Sequence, residues 1–360
     1  MLQSNDDIAS GNISLPNGRS ATKRRSLGRK PVVILLLIVM FGWQILFRPQ
    51  PKPVLYFIAN HFGGWLINQG PGNYSGARGF AKRLANLWIE QSVMTQMHDR
   101  LPPRSNSDDL AILQQRLLQI HPMLINQIDL PHDEILSSNA LTGVGKCGGM
   151  NLAAAQLLAH DFDQVEMIAI DGDTPDSGHS FGRLWSVQYK DWLYFDIWTA
   201  QIQIFTASSR GATYLWRYPA QLSSVHQFFA SRTGPMHDFG QHGHIRLKLQ
   251  KSFGGYIWYR VRNLIDHGTT WEKEMPFRNQ PLVVATEPKL LPDAVYKKAN
   301  NQSAQAATYL TARLDHLFGD KAAAKRGYLR AKSAEQAPDT TVAAASKIFA
   351  QRLSKPPLAH

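Results

Sequence analysis

The chain holds a single cysteine, Cys147, among its 360 residues. No intrachain disulfide can therefore form, and whatever stabilises the fold must come from packing and hydrogen bonds. Acidic side chains are also few: 27 Asp and Glu stand against 39 Lys and Arg, a formal net charge of +12. Such an excess admits nucleic acid, an anionic membrane or polysaccharide, or an acidic protein as partner. The modules that would point to nucleic acid are missing. There is no finger spacing, no RNP-type strand and no basic recognition helix. No nucleic-acid partner is expected, while an anionic envelope polymer stays among the partners that the charge admits. What is present is a globular composition, 44% hydrophobic and 18% charged, at a length that buries one large core or two ordinary ones.

Charge is wholly absent from residues 31–47, PVVILLLIVMFGWQILF. About 20 residues at 1.5 Å rise cross the hydrocarbon core of a bilayer, so this run is read as a membrane-spanning helix. Arg29, Lys30 and Arg48 close its ends and Trp43 sits near one interface. Arg19, Lys23, Arg24, Arg25, Arg29 and Lys30 precede it, whereas the residues that follow, 48–67, hold only Arg48 and Lys52. The positive-inside rule then places the N-terminus in the cytoplasm and the rest in the periplasm or another extracytoplasmic space. A signal peptide is disfavoured by the long polar lead and the lack of a small-x-small cleavage site. A buried soluble helix would rarely be apolar on every face. Residues 1–30 are accordingly expected to be a disordered basic cytoplasmic tail, and 31–48 the transmembrane helix. Residues 49–73 are expected to be a linker or juxtamembrane segment. Pro49, Pro51 and Pro53 form a stiff spacer there. The stretch 54–67, VLYFIANHFGGWLI, is too short to span; it lies in the interface, docks on the folded domain, or is an ordinary buried helix.

Beyond it, residues 74–98 predict an amphipathic helix with Phe80, Leu84, Leu87 and Trp88 at helical spacing. Leu101-Pro102-Pro103 breaks the chain, and Asp108 or Asp109 caps a second helix running through Leu118. A glycine-rich turn over 139–149 leads to a third helix, 150–160. Strands are predicted at 165–170, 179–189 and 192–198, where aromatic and β-branched residues dominate. Residues 206–293 offer little that is diagnostic. The last part, 294–360, turns alanine-rich, with Gly319 at a turn and Pro338 after a second helix. It resembles one degenerate tetratricopeptide-type hairpin. A single copy does not bury a solenoid core, so a plain helical hairpin packed on the main domain is expected.

The chemistry gathers around the cysteine. Cys147 stands in GVGKCGGMNLAAAQLLAH, where a glycine-rich turn runs into a helix. A thiol at a helix N-terminus feels the positive end of the helix dipole, which lowers its pKa. Gly145, Gly148 and Gly149 leave room for a substrate backbone. His179 opens a strand after a polar loop, and Asp196 lies near the end of the next strand. A nucleophile, a base to deprotonate it and a carboxylate to orient the base are the three roles that acyl-transfer chemistry needs.

These segments, GKCGGMNLAAAQLLA, GHSFGRLW and DWLYFDIWT, resemble the transglutaminase-like cysteine hydrolases and transferases over about residues 140–205. The resemblance implies an α+β, papain-like core with helices packed on an antiparallel sheet, here spanning 74–293. It implies Cys147, His179 and Asp196 as catalytic residues, a thioester intermediate, and a protein or peptide substrate cleaved or transamidated. No cofactor and no metal are implied. His179-Ser180-Phe181 replaces the common His-Ala-Trp, and Ile197 replaces a frequent Pro. An oxyanion donor is sought in the Cys147 N–H or an upstream side chain such as Gln127. The alternative is a catalytically inactive, membrane-tethered binding or assembly protein of the cell envelope that keeps this fold. The basic charge, the helical C-terminus and the altered His flank favour it.

One geometric condition follows from the strands. A two-residue hairpin at Lys190-Asp191 would set Asp196 opposite Trp185 and leave His179 ~20 Å away along the strand. The triad therefore requires a wider connection or a bulge. Rival sites are weaker. His237, Asp238, His242 and His244 fit no strong zinc spacing, so no metal is expected. GVGKC lacks the first glycine and the final Ser/Thr of a phosphate-binding loop, with Ala140 and Cys147 in those places. Asp238-Phe239-Gly240 stands without the rest of the kinase signature. Trp185, Tyr189, Trp192, Tyr194 and Trp198 are expected to divide between core and substrate groove.

Overall fold

A computed structural model describes residues 42, 47–67, 76–104, 108–126, 130, 140–170, 179–198, 202–208, 211–218, 243–249, 293–333 and 341–354. The tail 1–30 and most of the apolar run 31–48 lie outside the described residues. Among those described, no helix is long and apolar enough to cross a membrane. Residues 44–360 form one compact unit.

That unit begins where a linker was expected. Helix α1 (Lys52–Ile67) starts just after Pro51, with Pro53 in its first turn, where a missing N–H costs nothing. It buries Leu55, Ala59 and Leu66 and lies along the C-terminal helix α5 (Asp293–Leu317). The two backbones approach closely at Gly63, where a Cβ would come within 2.9 Å of the Ala307 backbone. Tyr56 ties the pair by donating to Asp315 Oδ1 at 2.7 Å. Leu55, Ala59 and Leu66 thus serve the fold of the unit, while Phe57 and Phe62 of the same helix are exposed.

Helices α2 (Gly76–His98) and α3 (Asp109–Ile120) follow. Asp108 caps α3 by accepting the Leu110 N–H at 3.0 Å, and the helix runs two residues past Leu118, stopping just before His121-Pro122. Two short parallel strands, β1 (Ile125–Asn126) and β2 (Val144–Gly145), lead to α4 (Cys147–Leu158). This helix starts three residues before the expected Met150, so Cys147 lies in its first turn.

Strand β3 (Val165–Ile170) is followed by β4 (His179–Ser186), β5 (Asp191–Asp196), β6 (Ile202–Ser208), β7 (Gly211–Tyr218) and β8 (Gly243–Leu249). They make one sheet in the order β7-β6-β5-β4-β3-β8, with every neighbouring pair antiparallel. Three of these strands fall in or overlap the part of the sequence that looked undiagnostic. Helix α4 covers one face, its Ala153, Ala154, Leu157 and Leu158 sharing a core with Leu184, Leu193 and Phe195. Gly182, opposite Phe195, has no room for a Cβ beneath that ring. A second apolar cluster of Ile168, Phe181, Tyr194 and Phe205 is separate from the first. Helices packed on an antiparallel sheet make this an α+β protein.

The C-terminal region holds three helices where two were expected: α5, α6 (Lys321–Lys332) and α7 (Thr341–Arg352). Gly319, at φ +86°, makes the first turn, and Asp320 caps α6 by accepting the Ala323 N–H at 2.9 Å. The hairpin is not free-standing. Tyr309, Leu310, Tyr328 and Phe349 are buried in the same core as α4 and the sheet.

Candidate active site

Cys147 is the first residue of α4, and Lys146 before it gives no side-chain cap. The first N–H groups of a helix have no intrahelical partner, so the thiol faces a concentration of donors and positive dipole. Cys147 as a residue is partly exposed though its sulfur is enclosed by protein, and His179 and Asp196 are 6% and 9% exposed. His179 opens β4 and Asp196 closes β5, so both lie at the same end of the strand pair.

Their meeting depends on the connection between those strands. It has four residues, 187–190, with Lys190 at φ +53°. The resulting register pairs Ser186 with Asp191 and Gly182 with Phe195. Continued one step, it sets Phe181 level with Asp196, and His179 two residues further along the same side. This is the wider connection that a triad requires, and His179 Nε2 lies 2.5 Å from Asp196 Oδ2.

The turn is held from below by the start of α3. Asp109, 2% exposed, accepts from the Ser186 hydroxyl at 2.6 Å and from the Gln188 N–H at 3.4 Å. In return the Asp109 N–H donates to Gln188 Oε1 at 2.9 Å. Tyr189 donates its hydroxyl to Asp108 at 2.7 Å and its N–H to Ser186 Oγ at 3.0 Å.

One further residue completes the arrangement, and the sequence reading passed over it. Asn151 lies one helical turn beyond Cys147 and is fully buried. Its Nδ2 donates to Asp196 Oδ1 at 2.8 Å and to the Ser180 carbonyl at 2.9 Å. Its Oδ1 accepts the Ile197 N–H at 3.0 Å. The Trp198 N–H adds a bond to Asp196 Oδ1 at 3.0 Å. One carboxylate oxygen therefore serves His179 and the other is held by Asn151 and Trp198. The signal was in the sequence: a polar amide in the middle of an alanine-rich helix, at i+4 from the thiol, needs a partner inside the protein.

The charges follow from these contacts. Burial disfavours ionised Asp196, but the charge and hydrogen bond of His179, then Asn151 and the Trp198 N–H, hold its pKa below the usual value. Burial likewise disfavours protonated His179, yet Asp196 outweighs it, and the bond to Cys147 adds to the effect; the imidazole is raised to about 10. Burial of the Cys147 thiol opposes ionisation, but the His179 hydrogen bond and charge and a Ser180 backbone bond bring it below its ordinary value. With Nε2 on Asp196, Nδ1 is the ring nitrogen left for the sulfur. These contacts shift the pair toward thiolate and imidazolium, with the Asp196 carboxylate behind the ring. Such a pair can attack an electrophilic carbonyl and protonate a leaving group.

Trp198 packs its ring on His179 at 5.1 Å between centroids, and Phe181 stacks at 6.0 Å. Trp185 and Trp192 instead form a cross-strand edge contact at 5.6 Å, Tyr194 is buried in the second cluster, and Tyr189 belongs to the turn. Gln127 lies outside the described residues, as do His237, Asp238 and His242; His244 pairs with Ala169 on β8. Among the described residues no group of three or more His, Cys, Asp or Glu could hold a metal ion. No protein-family model matches this chain, and comparison with curated proteins and with solved structures gave no match, so the site stands on its own geometry.

Proposed function

We propose that the protein is a transglutaminase-like cysteine enzyme acting on amide or peptide bonds of a protein or peptide substrate through a thioester on Cys147. The observation that carries this reading is the Cys147–His179–Asp196 relay at the start of a helix. In the first half-reaction the thiolate attacks the carbonyl carbon and a C–S bond forms. Imidazolium His179 gives its proton to the leaving amine as the C–N bond breaks. In the second, neutral His179 takes a proton from water or from an acceptor amine, which attacks the thioester; the sulfur leaves as thiolate. Hydrolysis or transamidation is the outcome, set by which nucleophile reaches the thioester. Asp196 orients the ring and stabilises its charge throughout.

The departures from the family pattern fit this reading. Ser180 acts through its backbone, whose carbonyl accepts from Asn151. Ile197 donates its N–H to Asn151, which a proline could not do. Residues 31–48 anchor the chain with the folded unit outside the cytoplasm, as the uncharged run 31–47 and the basic residues at its ends support. Release of the full chain from membranes by alkaline carbonate would refute the anchor.

Because Cys147 is the only thiol, alkylation reports on it alone. The rate of iodoacetamide reaction with the detergent-solubilised full chain should show a pH midpoint well below the free-thiol value of about 8.5. His179→Ala should move that midpoint up to or beyond the free value. A thiol that reacts only in denaturant would instead favour a scaffold without turnover.

A further inference from the structure

The C-terminal helices reach the turn that carries the nucleophile. Residues 140–143 form the turn that enters β2, and Cys147 follows two residues after that strand. Arg313 of α5 is fully buried. Its Nη2 donates to the Ala140 carbonyl at 2.9 Å and its Nε to the Leu141 carbonyl at 3.1 Å. Tyr309, one turn earlier on the same helix, donates its hydroxyl to the Thr142 carbonyl at 2.5 Å. The fourth carbonyl, of Gly143, accepts from Ile125 of β1 at 2.7 Å. Gly143 has φ +68°, and a Cβ there would collide with the Arg313 guanidinium. The glycine thus serves both the left-handed bend and the approach of the arginine.

A second arginine, exposed where Arg313 is buried, bonds the backbone beside the neighbouring strand. Arg352 of α7 donates Nη1 to the Leu124 carbonyl at 2.6 Å and to that of Pro122 at 3.0 Å, just before β1. Both guanidinium groups lie over the Phe349 ring, at 4.5 and 5.9 Å. Strands β1 and β2 pair with each other, and Asn126 of β1 donates to the Trp198 carbonyl at 3.3 Å. Trp198 in turn packs on His179. One arginine-held strand leads to the sulfur and the other to the base.

We propose that Arg313 and Arg352 are positioning residues: they clasp the backbone on either side of β1 and β2 and so hold Cys147 in reach of His179. The inference rests on the enzyme reading above. Its physical basis is the kind of interaction used. The guanidinium of Arg313, fully buried, carries a desolvation penalty that an apolar residue of similar volume would avoid, so stability alone is a weak reason for it. Its planar fork does what no apolar residue can, fixing two successive carbonyls at defined angles, while Arg352 bridges the Pro122 and Leu124 carbonyls from Nη1 at the surface. The C-terminal helices are then part of the catalytic unit.

The test uses the full chain in detergent, with Arg313→Lys, Arg352→Lys and Tyr309→Phe, and Leu113→Ala as a control buried in α3. Iodoacetamide rates across pH are compared on folded protein, with melting temperatures measured alongside. The three clasp variants should raise the alkylation midpoint toward the free-thiol value of about 8.5, by about one pH unit for Arg313→Lys, and slow the reaction several-fold at pH 6. Leu113→Ala should lower the melting temperature and leave the midpoint where it is. Should Arg313→Lys fail to fold, Tyr309→Phe and Arg352→Lys decide the matter. A depressed wild-type midpoint that the folded clasp variants do not move overturns the clasp alone. An ordinary wild-type midpoint overturns the enzyme reading and the clasp with it.

Discussion

Asn151 joins the helix of the nucleophile to the strand of the carboxylate through one side chain. Its three hydrogen bonds, to Asp196, the Ser180 carbonyl and the Ile197 N–H, use both ends of the amide. Truncation would strand a buried N–H and a buried carbonyl and remove one donor from Asp196. Asn151→Ala is therefore expected to cost about 1–3 kcal/mol for each group left unsatisfied. Urea unfolding at pH 7 measures this. The same variant should shift the Cys147 alkylation midpoint upward, because a freer Asp196 orients His179 less well. A loss of stability with an unmoved midpoint would confine Asn151 to a structural role.

At the scale of elements, the four-residue connection between β4 and β5 decides whether a triad exists at all. A strand slip of one residue reverses the face of every side chain, so register must be fixed by something outside the strands. Asp109 and Asp108 at the head of α3 do this by binding Ser186, Gln188 and Tyr189. Arg104 completes the shell around Asp109 at 2.5 Å. Asp109→Ala leaves the Ser186 hydroxyl without that acceptor and loosens the turn. It should destabilise the fold by roughly 1–3 kcal/mol in chemical unfolding and broaden the amide resonances of 187–190. An unchanged unfolding midpoint would show that the strands hold their own register.

The whole molecule carries a buried histidine, His316, that is expected to weaken the fold in acid. His316 is 4% exposed, and burial, followed by the charges of Arg313, Lys321 and Arg352, lowers its pKa to about 3. The Tyr328 hydroxyl lies 3.1 Å from Nδ1 and suits the neutral ring as a donor. In the unfolded chain this imidazole protonates near 6.5, so below that pH the unfolded state binds a proton that the native state refuses. Stability should fall by about 1.4 kcal/mol per pH unit from about 6.5 toward 3. Asp161 is held down to about 2 against its burial by His98 and Arg116, so its loss begins only below the ordinary Asp range near 3.9. His179 acts with the opposite sign: its raised pKa stabilises fully below about 6.5, and that contribution fades as pH climbs toward about 10. Urea midpoints at pH 7, 6 and 5 should show the acid slope in the wild type, and His316→Asn should flatten it. Persistence of the slope in that variant would assign it to another group.

Local chemistry by itself pointed to Cys147, His179 and Asp196, to the start of α3 and to three of the six strands of the larger sheet. A glycine turn before a helix, a His opening one strand and an Asp near the end of the next are short-range patterns, and they were legible as such. The capped start of α3 was legible for the same reason, since Asp108 needs only its neighbour Leu110. Tertiary structure alone decided the rest. Residues 54–67 left an interfacial segment, a docked segment and a buried helix open in the sequence, and the close approach of Gly63 to Ala307 lets Lys52–Ile67 lie against α5 as a helix. The strands after residue 202 have no periodicity strong enough to stand out; pairing with β5 and β3 fixes them. Arg313 reads as one more surface cation in an alanine-rich helix, and only the fold shows it buried on the carbonyls of Ala140 and Leu141. The sequence could name a nucleophile, a base and a carboxylate. Their meeting rests on contacts between residues 17 to 81 positions apart, which no local pattern records.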